Sequence, residues 1–235
     1  AIKPGSVRLF INISPYKFQK PLNIGYIPNL NMVTKIKKKI VVEGDESKEH
    51  LGLVHVATGD GKGKTTSSIG LAIRALGSNL RVCMIQFLKS GITGELFTIK
   101  KYLPGMEIEQ FGIDAVKERQ QKLDTFRDKG SKFIFNPDEQ EKDAAMLGFE
   151  HAKKVINSKE YDLVILDEIN VVLDKGLIPI NEIFDLMENR GNVELYFTGR
   201  DAPQEILDKA DYVNIVKGIK NPWQKGIKAR KGIEY

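Results

Sequence analysis

The apolar run LGLVHVA (51–57) feeds directly into TGDGKGKTTSS (58–68), a junction that leaves the chain few folds to choose from. A short apolar stretch that ends in glycines reads as a buried strand. Beyond the loop, Lys64 to Leu76 carries Ile69, Ala72, Ile73 and Leu76 at helical spacing, and Gly77 supplies a stop. Strand, glycine loop and helix in that order make the phosphate-binding unit G-x-x-x-x-G-K-[ST]. Gly63, Lys64 and Thr65 fill its last three places, but Thr58 stands where the first glycine belongs, with an extra Gly59 beside it.

Backbone geometry accounts for the loop's chemistry. Glycines at 59, 61 and 63 tolerate positive φ, so successive N–H groups can turn inward and form an anion nest. The helix that follows aims its positive end at the same point. Lys64 adds a full charge, Lys62 a further donor, and the Thr65 hydroxyl can ligate Mg²⁺. A glycine-rich turn with incidental lysines is the plainer account. The strand before it and the helix after it weigh against that.

The rest of the body alternates in the same way. Strands are expected at 81–87, 106–111 (more exposed than the others), 161–169, 193–199 and 212–216. Helices are expected from Pro137 to Ser158, with Asn136 as cap and Glu139 at capping-box spacing, over Pro179–Asn189 and over 202–210. Residues 112–135 read as charged loop with short helical pieces. The expected fold is α/β and P-loop NTPase-like, a mostly parallel sheet with helices on both faces. Ligands of such sheets bind at the carboxyl ends of strands. The acidic pair Asp167-Glu168 ends the apolar run YDLVILDEI, at the place where a carboxylate holds magnesium directly or through water. Read alone, the pair could equally be a strand terminus.

Charge divides the chain. Residues 1–42 hold eight basic side chains and no acid, leaving 28 Lys and Arg against 31 Asp and Glu in 43–235. The net charge of +5 therefore belongs to an arm, and a body at −3 argues against nucleic acid as a partner. The arm (1–42) is read as irregular, broken by Pro4, Pro15, Pro21 and Pro28, and the body (43–235) as one domain. The arm is poor in the arginine and serine of a transit segment. Met32 offers a natural start, which would make 1–31 a tag, read-through or extension. No apolar run approaches the length of a membrane span. The single cysteine, Cys83, excludes an intrachain disulfide, fits a reducing compartment, and reads as a buried inert thiol within VCMIQF. His50, His55 and His151 are scattered and read as structural or surface residues.

A phosphate loop serves ATPases, GTPases, kinases and other transferases, so it leaves the reaction open. The segments TGDGKGKTTSSIGLAIRALG, RVCMIQFLKSG, DLVILDEI, YFTGRDAP and the ending GIKARKGIEY, in order across 51–235, resemble the P-loop type of ATP:corrinoid adenosyltransferase. The resemblance implies a single α/β domain, a homodimer, working in the cytoplasm with ATP and Mg²⁺ (or Mn²⁺). It implies attack by a Co(I) corrinoid (cobyrinic acid a,c-diamide, cobinamide or cobalamin) on the 5′ carbon of ATP, releasing tripolyphosphate, in adenosylcobalamin biosynthesis or salvage. A flavoprotein would supply the electrons.

Carried onto this chain, the resemblance assigns ATP to Thr58, Gly59, Asp60, Gly61, Lys62, Gly63, Lys64, Thr65, Thr66 and Arg200. It assigns the metal to Thr65, Asp167 and Glu168, and catalysis to Lys64, Thr65 and Glu168. Members carry an aromatic pair that packs on the corrin. Here KFIFNP offers Phe133 and Phe135, with Phe135 in place of the family's Trp and Lys132 in place of its Gly. A purely structural role for these phenylalanines is the alternative. Arg200 could grip phosphate or a corrin amide, or pair with Asp201 or Glu205 at a helix start. Gln86 and Lys89 are expected to face the same crevice, and Glu95 to approach the ribose or the metal. The competing readings are a RecA-like ATPase or small-molecule kinase, and a nucleotide-binding regulatory or nucleic-acid module that uses the arm.

Overall fold

The computed structural model describes Lys48 and residues 50–91, 93–114 and 139–234. Six strands form a single sheet in the order β3-β2-β4-β5-β1-β6. They are β1 (Val54–Thr58), β2 (Val82–Phe87), β3 (Met106–Phe111), β4 (Leu163–Asp167), β5 (Glu194–Thr198) and β6 (Tyr212–Ile215). Every pairing is parallel, so the expectation of a mostly parallel sheet is met in its strict form.

The two-residue period of the strands sorts their side chains onto two faces. Cys83, Ile85 and Phe87, with Val164, Leu166, Leu195 and Phe197, pack beneath α3 (Gln140–Ser158), α4 (Ile169–Asp174), α5 (Ile180–Glu188) and α6 (Gln204–Lys209). Val82, Met84, Leu163, Ile165 and Tyr196 face the other way, against α1 (Lys64–Gly77) and α2 (Gly94–Tyr102). Both faces of the central strands are covered, which is why LVILD and VCMIQF read as continuous apolar runs. β6 differs: it is an edge strand with all four residues exposed.

Two helices lie outside the sequence expectations. α2 buries only Ile99, so its sequence carries almost no helical apolar period. α4 falls on INVVLD, whose β-branched residues prolong the pattern of the preceding strand. The strand ends because Glu168 turns into the left-handed region (φ 67), and the chain re-enters as a helix. α3 begins at Gln140 with Glu139 at its N-cap position, and Glu139 makes no side-chain cap bond. Asn136 and Pro137 lie outside the described residues. β3 is better covered than expected, with only Glu107 exposed, because α3 and α2 flank it. Cys83 is buried, and burial raises its thiol to about 12, which makes it inert near neutral pH. His55 is a structural residue: its Nε2 lies 2.6 Å from Glu194 Oε1 and its ring stacks between Tyr196 and Tyr212.

Candidate active site

The loop between β1 and α1 has two of the three left-handed glycines expected of it. Gly59 (φ 103) and Gly63 (φ 123) take conformations that side-chain-bearing residues rarely adopt. Gly61 does not. It is required instead by a close neighbour, since a Cβ there would lie 2.8 Å from the carbonyl oxygen of Val216. That same oxygen accepts the Gly61 N–H at 2.8 Å, so this amide is spent on the segment after β6 rather than held free for an anion.

Thr58 now has a physical reason. Its hydroxyl accepts the N–H of Ala202 at 3.1 Å and its carbonyl accepts the N–H of Val216 at 2.7 Å. A glycine would leave the loop after β5 untied. Asp60 likewise grips the chain after β6, accepting the Gly218 N–H at 3.0 Å, a bond that holds its carboxyl below the usual range. Lys62, expected to reach phosphate, lines the cleft at the loop, donates to the Ile233 carbonyl at 2.7 Å and lies 4.0 Å from Glu234. The C-terminal segment binds this loop at several points, and that explains the departure of the loop's first half from the usual pattern.

Lys64 opens α1 and folds back into the loop, donating to the carbonyls of Gly59 at 2.6 Å and Gly61 at 2.8 Å. Burial lowers its pKa, and the nearby Glu168 carboxylate opposes that shift. Thr65 follows and donates its hydroxyl hydrogen to Asp167 Oδ1 at 2.8 Å. Its hydroxyl oxygen can still accept, and Lys89 Nζ lies 3.5 Å from it.

Asp167 belongs to a polar row that crosses the sheet. On the α1 face, the apolar positions Ile108, Met84, Ile165 and Tyr196 are each followed two residues later by a buried polar one: Gln110, Gln86, Asp167 and Thr198. Register places Gln110 beside Gln86 and Gln86 beside Asp167. Gln110 Nε2 donates to Gln86 Oε1 at 3.0 Å, Gln86 Nε2 to Asp167 Oδ2 at 2.9 Å, and Thr198 Oγ1 to Asp167 Oδ1 at 2.6 Å. Four of the six parallel strands thus carry a buried polar side chain near their carboxyl ends, and the row they form meets the loop where Thr65 bonds Asp167.

The family model for ATP:corrinoid adenosyltransferase BtuR/CobO/CobP matches residues 50–235, which contain this row and the loop. The chain belongs to that family. It is similar to the corrinoid adenosyltransferase CobA of Salmonella typhimurium, 29% identical over 203 residues, covering 86% of this chain and 94% of that protein. It is also similar to the corrinoid adenosyltransferases of Escherichia coli K12 (28% over 204 residues, 86% and 94% covered) and of a Sinorhizobium species (30% over 204 residues, 85% and 86% covered). Among solved structures, domain III of the Thermotoga maritima replication initiation protein DnaA aligns with a TM-score of 0.32 at 14% identity, over 75% of this chain and 64% of that one, too distant to carry weight.

In this adenosyltransferase-family chain the loop opens on a cleft of about 720 Å³. Asp60 to Thr66 line one side, Lys89, Glu95, Glu168 and Arg200 another, and Trp223, Ile227, Arg230 and Ile233 of the C-terminal segment a third. Arg200 is exposed and forms no ion pair with Asp201 or Glu205. Glu168 donates its N–H to Thr198 Oγ1 at 3.0 Å, and its carboxyl lines the cleft. Burial, reinforced by the adjacent Asp167 charge, raises its pKa, while Lys89, Lys64 and Arg200 pull the other way. Glu95 approaches Gln86 Nε2 at 3.4 Å. Thr66 is exposed on the lining. Phe133 and Phe135 lie outside the described residues.

The donors present suit a small hard cation. The Thr65 oxygen and two adjacent carboxylates are all-oxygen ligands, and among the described residues no group of three or more His, Cys, Asp and Glu forms a closed metal cage. Magnesium is commonly held this way, by one or two carboxylates with phosphate oxygens completing its shell.

Several side chains here were not singled out by sequence. Thr198 and Gln110 join the polar row, and buried Asn170 donates to the carbonyls of Ala57 and Gly199, each at 3.3 Å. The two-residue period gave a signal for the first two: each is a polar residue at the end of a strand, in phase with its inward apolar neighbours.

Proposed function

We propose that this chain transfers the 5′-deoxyadenosyl group of ATP to the Co(I) centre of a corrinoid and releases tripolyphosphate. The observation that carries the reading is the joining of a phosphate loop, with Lys64 and the Thr65–Asp167 couple, to an open cleft whose far wall is the C-terminal segment.

In the reaction the Co(I) electron pair forms a bond to C5′, the C5′–O bond breaks, and its electrons leave on the tripolyphosphate. Cobalt ends as Co(III). The nucleophile is the substrate's metal, so the protein's work is to hold ATP, orient C5′ and stabilise a leaving group that gains charge. Gly63 and the first amides of α1 present N–H groups to that group. Lys64 exchanges its loop carbonyls for phosphate oxygens, and Arg200 adds a second cation. These contacts strengthen as charge develops, which lowers the barrier rather than merely tightening ground-state binding. Thr65 and Glu168, with Asp167 behind Thr65, would hold Mg²⁺, which neutralises phosphate charge when bound. Phe133 and Phe135 supply the corrin wall in the family resemblance. A homodimer, a flavoprotein electron donor and a cytoplasmic setting complete the proposal, the last supported by the single buried cysteine.

The test is anaerobic turnover with ATP, Mg²⁺ and chemically reduced cob(I)alamin, followed by corrinoid absorbance. Conversion to the adenosylated corrinoid is expected. ATP consumed with ADP or orthophosphate released, and no change in the corrinoid, would sink the reading in favour of an ATPase or kinase.

A further inference from the structure

The buried Asp167 carboxylate is fully engaged. Among the described residues, Oδ1 accepts from Thr65 at 2.8 Å and Thr198 at 2.6 Å, and Oδ2 from Gln86 at 2.9 Å and Lys89 at 2.6 Å. A carboxylate offers about four lone-pair sites, so each one has its donor. Three donors are neutral and sit on β2, β5 or the first turn of α1. The fourth is the Lys89 ammonium, whose side chain is 27% exposed and lies just beyond β2, after Leu88 at φ 56. Its Nζ is also 3.5 Å from Thr65 Oγ1. The ammonium therefore touches two of the three groups, Thr65 and Asp167, that a metal ion would draw on.

We propose that Lys89 is a tethered counter-cation for the metal site, resting on Asp167 when nucleotide is absent and giving way when metal and ATP arrive together. The inference rests on the metal reading of Thr65, Asp167 and Glu168. A buried carboxylate with no cation is costly, and the lysine neutralises it. A metal ion arriving alone must approach an ammonium of like charge within a few ångströms and displace it without offering a new partner. Arriving with ATP, it brings phosphate oxygens to which Lys89 can move, since Lys89 lines the same cleft as Lys64 and Thr65. Lys89 thereby couples metal binding to nucleotide binding and acts as a positioning residue.

The experiment measures Mn²⁺ binding to the full chain by electron paramagnetic resonance, with and without ATP and with no corrinoid present. It compares wild type with Lys89→Met, Lys89→Gln and Lys89→Arg. The glutamine variant keeps a hydrogen-bond donor for Asp167 and guards against loss of folding in the methionine variant. Both neutral variants are expected to bind Mn²⁺ alone about tenfold tighter than wild type, as removing one nearby unit charge implies. The enhancement of Mn²⁺ affinity by ATP should shrink by a similar factor, and Lys89→Arg should behave as wild type. If Mn²⁺ binds wild type with ATP, yet binds the neutral variants alone no tighter than wild type, the counter-cation role is wrong. Tighter binding in Lys89→Arg as well would also overturn it. If Mn²⁺ binds wild type neither with nor without ATP, the metal reading itself fails and takes this inference with it.

Discussion

Thr58 shows how one residue can be misread when only its motif is considered. In the phosphate-loop pattern it looks like a missing glycine, whereas in the fold its hydroxyl is the acceptor for the Ala202 N–H. Thr58→Val keeps the shape and removes the acceptor. An orphaned, part-buried amide costs about 1–3 kcal/mol, so urea unfolding should show a loss of that size. Lys64 is legible from sequence alone. Lys64→Ala should lower kcat by roughly 10²–10³, the scale seen when a donor to developing charge is removed.

Glu168 makes a pH-dependent prediction. Burial and the Asp167 charge raise its folded-state pKa above the ordinary 4.5. The folded state therefore holds the proton more tightly than the unfolded one. Stability associated with this group is present below the ordinary value and is lost as pH rises through the raised one. Without nucleotide, Glu168→Gln should melt about 2–4 °C above wild type at pH 7, if relief is on the order of 1 kcal/mol. Calorimetry should show the gap closing as pH falls below the ordinary 4.5, where the glutamate becomes neutral in the unfolded chain as well.

At the scale of elements, the sheet was readable because its strands obey a two-residue period with apolar positions on both faces. α2 and α4 were not. One buries a single side chain, and the other depends on a left-handed turn at Glu168 that no period announces. The C-terminal segment was visible only as a family signature. Its structural part was hidden because its bonds to the loop join residues 158 and 171 positions apart, Asp60 with Gly218 and Lys62 with Ile233. Gly61→Ala would place a methyl 2.8 Å from the Val216 oxygen and the Lys217 carbonyl carbon, and so should push the segment off the loop. Overpacking of this kind costs about 1–3 kcal/mol, so trypsin should cut within Lys217–Lys231 roughly tenfold faster than in wild type. Unchanged cleavage would mean that the loop and the segment are independent.

For the whole molecule, two physical features make the site. Parallel strands bring all their carboxyl ends to one edge, and the polar row Gln110–Gln86–Asp167–Thr198 collects there because its members share one face. The charge balance of residues 43–235 assigned the basic excess to the arm, and we propose those residues as the adenosyltransferase domain. The corrin wall stayed beyond reach, since Phe133 and Phe135 fall outside the described residues. We propose that the loop grips a leaving group while bonds change at the ribose carbon. Phosphorus NMR of the products formed from ATP and Co(I) corrinoid tests it most directly. Intact tripolyphosphate is expected in equal amount to the adenosylated corrinoid. ADP or orthophosphate as the primary product would contradict it.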